Sequence, residues 1–293
     1  MTSGNRRRLR ISTAMLSVLL LTSCGNTTAG KTTVSSADHE GPTVIGSDGS
    51  AESRVVAAMY GQLLTAAGQR VRTAPKEYAS PSDSAKAVVA GEISLAPAYE
   101  ATVLRTFPAG ETLPGNMAAT LSTVLPVGID ALPAAAAQHG VVLAVTRAAA
   151  GLNGGMHSIA DLAGPGRRLT LGGSASGDLD TPSVSALKAA YGCTLVSSGT
   201  TATADVLALS STDPVLTRDH LVVLTDPKGV IPPEHVFPLI AAPFAGLAAR
   251  GALSRVNTDL TTEQLATLAA SVRAGESPGT AARAWLRSRR LLG

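Results

Sequence analysis

Short apolar runs alternate with amphipathic stretches along most of this chain, and that alternation limits the folds it can adopt. The run "PTVIGSDG" predicts a strand ending in a turn, and "SAESRVVAAMYGQLLTAAG" predicts a helix with one apolar face. The run "GVVLAVTR" predicts a strong central strand over 140–147, and "TPSVSALKAAYG" predicts another helix. The segments "TTEQLATLAASVRAG" and "SPGTAARAWLRSRRLL" predict two helices near the C-terminus. Alternating strands and helices are typical of α/β proteins, so we expect this fold class.

The N-terminal residues predict an export signal. Four arginines within the first ten residues precede an apolar run over 11–21, which is too short for an ordinary membrane-spanning helix. The tetrapeptide L-T-S-C, which ends at Cys24, fits the lipobox at which bacterial lipoprotein precursors are cleaved and lipidated. The sequence therefore predicts a signal peptide over 1–23, a lipid on Cys24 and a flexible tether over 24–41.

The same region also matches a phosphate-loop pattern, which would indicate a nucleotide-binding protein instead. Residues 25–32 read G-N-T-T-A-G-K-T and fit G-x-x-x-x-G-K-[ST] at every fixed position. A phosphate loop needs a helix that begins at its Lys-Thr pair and points its backbone N–H groups at the phosphates. The following "TVSSADHEGPTV" has no helical periodicity and is stopped by Pro42. We therefore interpret the match as part of the tether.

The charge balance argues against a nucleic-acid partner. The whole chain has 24 Lys and Arg against 21 Asp and Glu, but four of the arginines lie in residues 1–23. Removing them leaves 20 basic against 21 acidic residues, so the basic isoelectric point reflects the export signal.

No motif in the sequence predicts catalysis, a metal or a cofactor. It contains no CxxC, HExxH or G-x-S-x-G pattern, and its five histidines show no ligand spacing. With Cys24 lipidated, Cys193 is left without a disulfide partner, and we interpret it as a small buried apolar residue. We therefore expect no enzymatic activity.

Several segments, taken in order, resemble the substrate-binding proteins of osmoprotectant ABC transporters, the glycine betaine/choline OpuAC or ProX type. They are "VIGSDGSAES", "AVVAGEISLAPAYEATVL", "LTLGG", "LKAAYG", "VVLTDPKGVIPPEHVFPLI" and "LTTEQLATLAASV", followed by "GTAARAWL". The resemblance covers most of residues 42–292. It implies a type II periplasmic-binding-protein fold with a cleft between two α/β lobes. Lobe 1 would comprise 42–140 plus 241–293 and lobe 2 would comprise 141–240, with hinges near 140–147 and 235–242.

The resemblance also implies a role. A monomeric lipoprotein on the extracytoplasmic face of the cell membrane would bind a small molecule of the betaine or choline class. Hinge closure would then present the liganded form to the membrane permease of an ABC importer. The alternative is a sensory or scaffolding lipoprotein of the same fold that is no longer coupled to transport.

Matching the family's motifs gives candidate ligand residues. The family's P-E-Y-T-G-T segment corresponds to 97–102, so Tyr99 matches its ligand tyrosine and Thr102 the hydroxyl that follows. Other aromatic or basic family positions are replaced here. The candidates at these positions are Asp48, Val141, Asp180, Ser210 and Glu234. Tyr60, Phe237, Phe244 and Trp285 are instead interpreted as packing residues.

The replacements all remove aromatic rings or positive charge from the matched family positions. These positions become small residues or the carboxylates Asp48, Asp180 and Glu234. Cation–π binding of a quaternary ammonium needs several ring faces, which this chain lacks. We therefore expect a ligand other than glycine betaine: a cation without a carboxylate, such as a choline-like molecule or a polyamine, or a neutral polyol or polyphenol. Alternatively, these carboxylates are solvated loop charges that do not converge on the cleft.

Overall fold

The computed structural model describes residues 41–108, 116–152, 155–175, 180–198 and 203–293. The predicted signal peptide, the lipidation at Cys24 and the tether up to residue 40 lie outside these residues. None of the helices in the described ranges combines the length and apolar character needed to cross a membrane.

One lobe is built on a mixed five-stranded sheet. Its strands are β1 (Thr43–Ile45), β2 (Val71–Thr73), β3 (Leu95–Tyr99), β4 (Ile129–Ala131) and, from much later in the chain, β10 (Val236–Ala241). They are ordered β2-β1-β3-β10-β4, with β1 parallel to β2 and β3. Strand β10 runs antiparallel to both β3 and β4, so this lobe is completed only when the chain returns to it.

Helices cover both faces of this sheet. They are α1 (Ala51–Ala66), α2 (Pro81–Val89), α3 (Glu100–Thr106), α4 (Met117–Val124), α8 (Leu247–Asp259), α9 (Thr262–Arg273) and α10 (Pro278–Ser288). The apolar face of α1 is fully buried and packs against the three C-terminal helices. Trp285 on α10 lies in the same cluster, and Tyr60, Phe237 and Phe244 also pack in the cores of this lobe, as predicted.

The other lobe has its own five-stranded sheet, ordered β7-β6-β8-β5-β9. Its elements are β5 (Val141–Val145), α5 (Arg147–Leu152), β6 (Leu169–Gly172), α6 (Val184–Tyr191), β7 (Leu195–Ser197), β8 (Val206–Ser210), α7 (Pro214–Arg218) and β9 (Val222–Val223). Strand β6 is parallel to β7 and β8, and β5 is antiparallel to β8 and β9. Cys193 is fully buried in this core, as predicted.

Two chain segments cross between the lobes side by side. The first leads into β5, and the second precedes β10; an antiparallel bridge between Gln138 and His235 joins them. The return crossing is thus earlier than the predicted boundary at 240/241, because Val236–Ala241 forms a strand of the first sheet. The buried apolar side chains of this strand belong to the first lobe's cores, and its backbone pairs with β3 and β4.

A close backbone approach follows β6. Gly173 has φ 129°, and a Cβ built there would lie 2.1 Å from the backbone oxygen of Ala208 on β8. Gly229 also has a positive φ, of 61°, but nothing lies within 4 Å of its Cβ position.

Replacing Gly173 by alanine should therefore destabilise the protein far more than replacing Gly229. The control Gly229→Ala carries only the backbone penalty of roughly 1–2 kcal/mol. Gly173→Ala adds a clash with β8 and should lower the free energy of unfolding by more than about 3 kcal/mol. Urea denaturation of both variants measures this difference, and equal losses would contradict the proposed role of the close approach.

Candidate functional site

Asp48 lies in the turn between β1 and α1, at the edge of the first sheet that faces the second lobe. Its side chain is held in place because the Ser50 backbone N–H donates to Asp48 Oδ1 at 2.8 Å. The side chain of Ser50 caps α1, and the positive end of this helix favours a carboxylate nearby. Asp48 is 3% exposed, and its Oδ2 is buried without a hydrogen-bond partner.

Glu52, in the first turn of α1, joins three distant parts of the chain. It is 1% exposed, pairs with the Arg273 guanidinium at the end of α9, and accepts a hydrogen bond from the Thr212 hydroxyl of the second lobe. Its Oε1 also lies 3.8 Å from His139 Nδ1. Burial raises the pKa of Glu52, but His139, Thr212 and Arg273 together outweigh it and leave that pKa below its usual value.

His139 lies in the first crossing and connects Glu52 with the end of β8. Its Nδ1 is 3.0 Å from Thr212 Oγ1 and 3.3 Å from Ser210 Oγ. Val141 pairs with Ser210 in the β5–β8 ladder, next to this group.

Tyr99 ends β3 and is 2% exposed. Its ring centroid lies 5.4 Å from that of His139, and its hydroxyl has no hydrogen-bond partner. Burial holds the pKa of Tyr99 well above its usual value. The nearby groups Asp48, Glu52, Tyr60 and Glu234 raise this pKa further. The phenol therefore stays protonated and can both donate and accept a hydrogen bond.

Helix α3 begins directly after Tyr99 and carries two further polar groups into the site. Thr102 donates to Glu234 Oε1 at 2.7 Å. Arg105 lies one turn later, and its Nη2 is 3.3 Å from the same Oε1. Both terminal guanidinium nitrogens of Arg105 donate to the Asp180 carboxylate of the second lobe. Burial and the charge of Asp180 raise the pKa of Glu234 to about 7, against the opposing effects of Thr102 and Arg105.

The structure brings all seven predicted ligand residues to the region where the lobes meet. We name the polar residues of this region the cleft cluster. Its members are Asp48, Glu52, Tyr99, Thr102, Arg105, His139, Asp180, Ser210, Thr212, Glu234 and Arg273. The alternative of solvated loop charges does not describe the carboxylates, because Asp48 and Glu234 are buried and the Asp180 side chain, 13% exposed, is bound by Arg105.

Five members of the cleft cluster were missed by the sequence reasoning: Glu52, Arg105, His139, Thr212 and Arg273. Four of them lie within four residues of a predicted candidate. Glu52 follows Asp48, Arg105 follows Thr102 on the same helical face, His139 precedes Val141, and Thr212 follows Ser210. Arg273 had no such local signal, because its partner Glu52 lies 221 residues away in the chain.

Three oxygens of the cleft cluster stand out because they are buried and unpartnered: Asp48 Oδ2, Glu234 Oε2 and the Tyr99 hydroxyl. Elsewhere in the described residues, the buried and unpartnered side-chain atoms are Arg54 Nε, the Tyr60 hydroxyl, Gln62 Oε1 and Asn257 Oδ1. Burying such a group without a hydrogen bond costs about 1–3 kcal/mol. Groups of this kind that are concentrated between two lobes indicate a site built to contact a ligand.

A family model described as "Substrate binding domain of ABC-type glycine betaine transport system" (OpuAC) matches residues 41–288. The chain belongs to this OpuAC family. The match spans both sheets and every residue of the cleft cluster.

Solved structures agree with the fold of the OpuAC family. A glycine betaine/carnitine/choline ABC transporter protein has a TM-score of 0.75 at 18% identity, covering 86% of this chain and 98% of that one. Apo YehZ from Escherichia coli has a TM-score of 0.68 at 20% identity, covering 86% and 99%. The predicted two-lobed periplasmic-binding-protein fold is thus confirmed. No curated protein matches the chain.

The raised pKa of Glu234 predicts a pH-dependent contribution to stability. Because its pKa in the folded protein, about 7, exceeds the ordinary value of 4.5, folding favours the protonated acid. This contribution is present below pH 4.5 and is lost as the pH rises through 7. Glu234→Gln keeps the group neutral, so the variant should gain about 2–3 kcal/mol relative to wild type between pH 5 and pH 8.

Urea denaturation of both proteins at the two pH values measures this gain. Asp219→Asn, at an exposed aspartate on the C-terminal end of α7, is the control and should show no such gain. A Glu234→Gln difference that is the same at both pH values would contradict the raised pKa.

Proposed function

We propose that this chain is an extracytoplasmic solute-binding lipoprotein that delivers an osmoprotectant-like small molecule to an ABC importer. The molecule belongs to the betaine/choline class or is a different cationic or polyhydroxylated compound. The observation that carries the proposal is the cleft cluster, a buried polar site built from both lobes of a member of this family. Family membership supports the transport role.

The contacts across the cleft support a closure mechanism. Glu52 of the first lobe accepts from Thr212 of the second, and Arg105 of the first binds Asp180 of the second. The ligand residues therefore reach one another only when the lobes approach. Rotation about the two crossings would separate them for ligand entry and bring them together around the ligand, in the manner of hinge closure.

The charges of the cleft cluster support a ligand other than glycine betaine. A betaine carboxylate needs a cation or free donors as its anchor. Both guanidiniums of the cluster are already bound, Arg105 to Asp180 and Glu234, and Arg273 to Glu52. The remaining unpartnered carboxylate oxygens would repel an anionic group.

A sensory or scaffolding lipoprotein without a transport partner is less well supported. That alternative rests on the loss of family aromatic positions, which would be expected in a cleft that has stopped binding. In a cleft that binds no ligand, buried and unpartnered oxygens would only destabilise the protein, and we would expect substitutions that remove them.

The N-terminal features support a membrane anchor. A tether of the predicted length 24–41 would hold the receptor near its permease and raise the local concentration. The lobes begin after this tether, so a chain that starts at residue 25 retains every described strand and helix.

Thermal unfolding with a panel of betaines, choline, carnitine, polyamines, sugars and polyphenols tests solute binding. A true ligand at 100 times its dissociation constant should stabilise the protein by about 2.7 kcal/mol. Asp180→Asn removes the charge that holds Arg105 and should weaken ligand binding about tenfold or more. Asp219→Asn, which disrupts an exposed pair with Arg218, should bind normally. A panel in which no compound stabilises the chain would refute the proposal.

Expression of the full chain in a bacterial host tests the anchor. The wild-type protein should fractionate with membranes and incorporate a labelled fatty acid, whereas Cys24→Ala should not incorporate the label. Cys193→Ala is the matched control and should remain in the membrane fraction, because Cys193 is buried in the second lobe. Release of the wild-type protein would exclude the lipid anchor.

A further inference from the structure

The unpartnered oxygens of the cleft cluster point to a ligand that donates hydrogen bonds. We propose that the ligand is an organic cation with N–H donors, a primary ammonium or a guanidinium, and that a quaternary ammonium binds less well. This inference rests on the proposed solute-binding function and names the ligand class of the same site.

The first step concerns which oxygen atoms are occupied. Asp48 Oδ1 accepts from the Ser50 backbone, and Glu234 Oε1 accepts from Thr102 and Arg105. The second oxygen of each carboxylate is buried and unpartnered. Asp48 Oδ2 can accept a hydrogen bond from a ligand donor, and Glu234 Oε2 can do so in the ionised form of Glu234, which a bound cation favours. A quaternary ammonium has no N–H group and would leave both of them unsatisfied.

The Tyr99 hydroxyl is an observation independent of the acids. It is buried and unpartnered. The Tyr99 ring lies 5.4 Å from the His139 ring, and the backbone N–H of His139 donates to the Glu234 carbonyl at 3.0 Å. The hydroxyl can accept one more N–H or donate to a polar ligand atom. Together the three groups provide up to three acceptors, which is the number of donors on a primary ammonium.

The charge balance of the cleft cluster favours a cation. Four carboxylates, those of Asp48, Glu52, Asp180 and Glu234, face two guanidinium groups, which are already paired with three of them. Arg54 lies near Asp48 but is paired with Glu77, 2.6 Å away. Within the residues that the structure describes, no group of three or more His, Cys, Asp or Glu could hold a metal ion. These features favour an organic cation.

The aromatic surface of the site is too small to enclose a quaternary ammonium ligand. A cage for a quaternary ammonium needs ring faces on several sides. In the cleft cluster, the ring of Tyr99 is the one phenol, and the His139 ring lies tilted against it by 53°. Tyr60 and Phe237 are fully buried in the cores of the first lobe.

A methylation series isolates hydrogen-bond donation from charge. Ethanolamine, its N-methyl and N,N-dimethyl derivatives and choline all carry one positive charge and one hydroxyl, but have three, two, one and no N–H donors. Putrescine and its bis-trimethylammonium analogue form a second, doubly charged pair. Calorimetric titration of the chain from residue 25 with each compound gives the affinities.

We expect affinity to fall along the series, by roughly tenfold for each charged hydrogen bond that is lost. The diamine should likewise bind more tightly than its quaternary analogue. If choline or the bis-quaternary compound binds as tightly as its parent amine, or if only a neutral or zwitterionic solute of the panel binds, the inference is overturned and the transport proposal stands. If no compound binds, either from these amine series or from the panel used for thermal unfolding, the transport proposal itself fails.

Tyr99→Phe tests one donor–acceptor contact without changing charge. It should weaken ethanolamine or putrescine about tenfold and leave the binding of the quaternary analogues unchanged, because the ring is retained. Tyr191→Phe is the matched control, since its hydroxyl binds Asp226 and the Lys228 backbone elsewhere in the second lobe. An equal loss for both classes of ligand in Tyr99→Phe would show a structural role and overturn the assignment.

Discussion

The arrangement of the two lobes depends on the burial of one carboxylate, that of Glu52. A charge with 1% exposure is tolerable only when it is paired and hydrogen-bonded, because desolvation costs several kcal/mol per ion. Its partners come from the C-terminal helix α9, from the first crossing and from the end of β8. Satisfying this one group therefore fixes the position of three chain segments relative to α1.

A second group of ions, around Arg105 on α3, follows the same principle. Arg105 is shared between a buried carboxylate of the return crossing and a partly exposed one of the second lobe. Sharing one guanidinium between Glu234 and Asp180 leaves Glu234 only partly neutralised, which is consistent with its raised pKa. This residual charge is one reason why we propose a positively charged ligand.

The periodic pattern was sufficient for the elements with one apolar face or a continuous apolar run. Helices α1, α6, α9 and α10 and strand β5 lie where the pattern predicts them. Helix α8 was not foreseen, because "LAARGALSRVNTD" places a glycine and several polar residues within the helix. The two-lobed arrangement was predicted from the resemblance and not from the periodicity. The first sheet is completed by β10, a strand from much later in the chain, and no local pattern indicates this.

Prediction of the site was limited by sequence distance. Tyr99 and Thr102 could be proposed because they share a short motif, and Asp48 because it follows the first strand. The ion pairs that organise the cleft cluster join residues such as Glu52 and Arg273, 221 positions apart. No pattern in a single sequence encodes such a pair, because the partners are brought together only by the packing of α1 on the C-terminal helices.

The discontinuity of the first lobe has a consequence for the order of folding. Its strand β10 and the helices that bury α1 follow the whole second lobe along the chain, whereas the second sheet is formed by one continuous segment. Contacts of long sequence separation form late, because the loop-closure entropy must be overcome first. The segment that carries β1, α1, β2 and β3 therefore stays without much of its core until residues 236–288 have been synthesised, and this delays the folding of the first lobe.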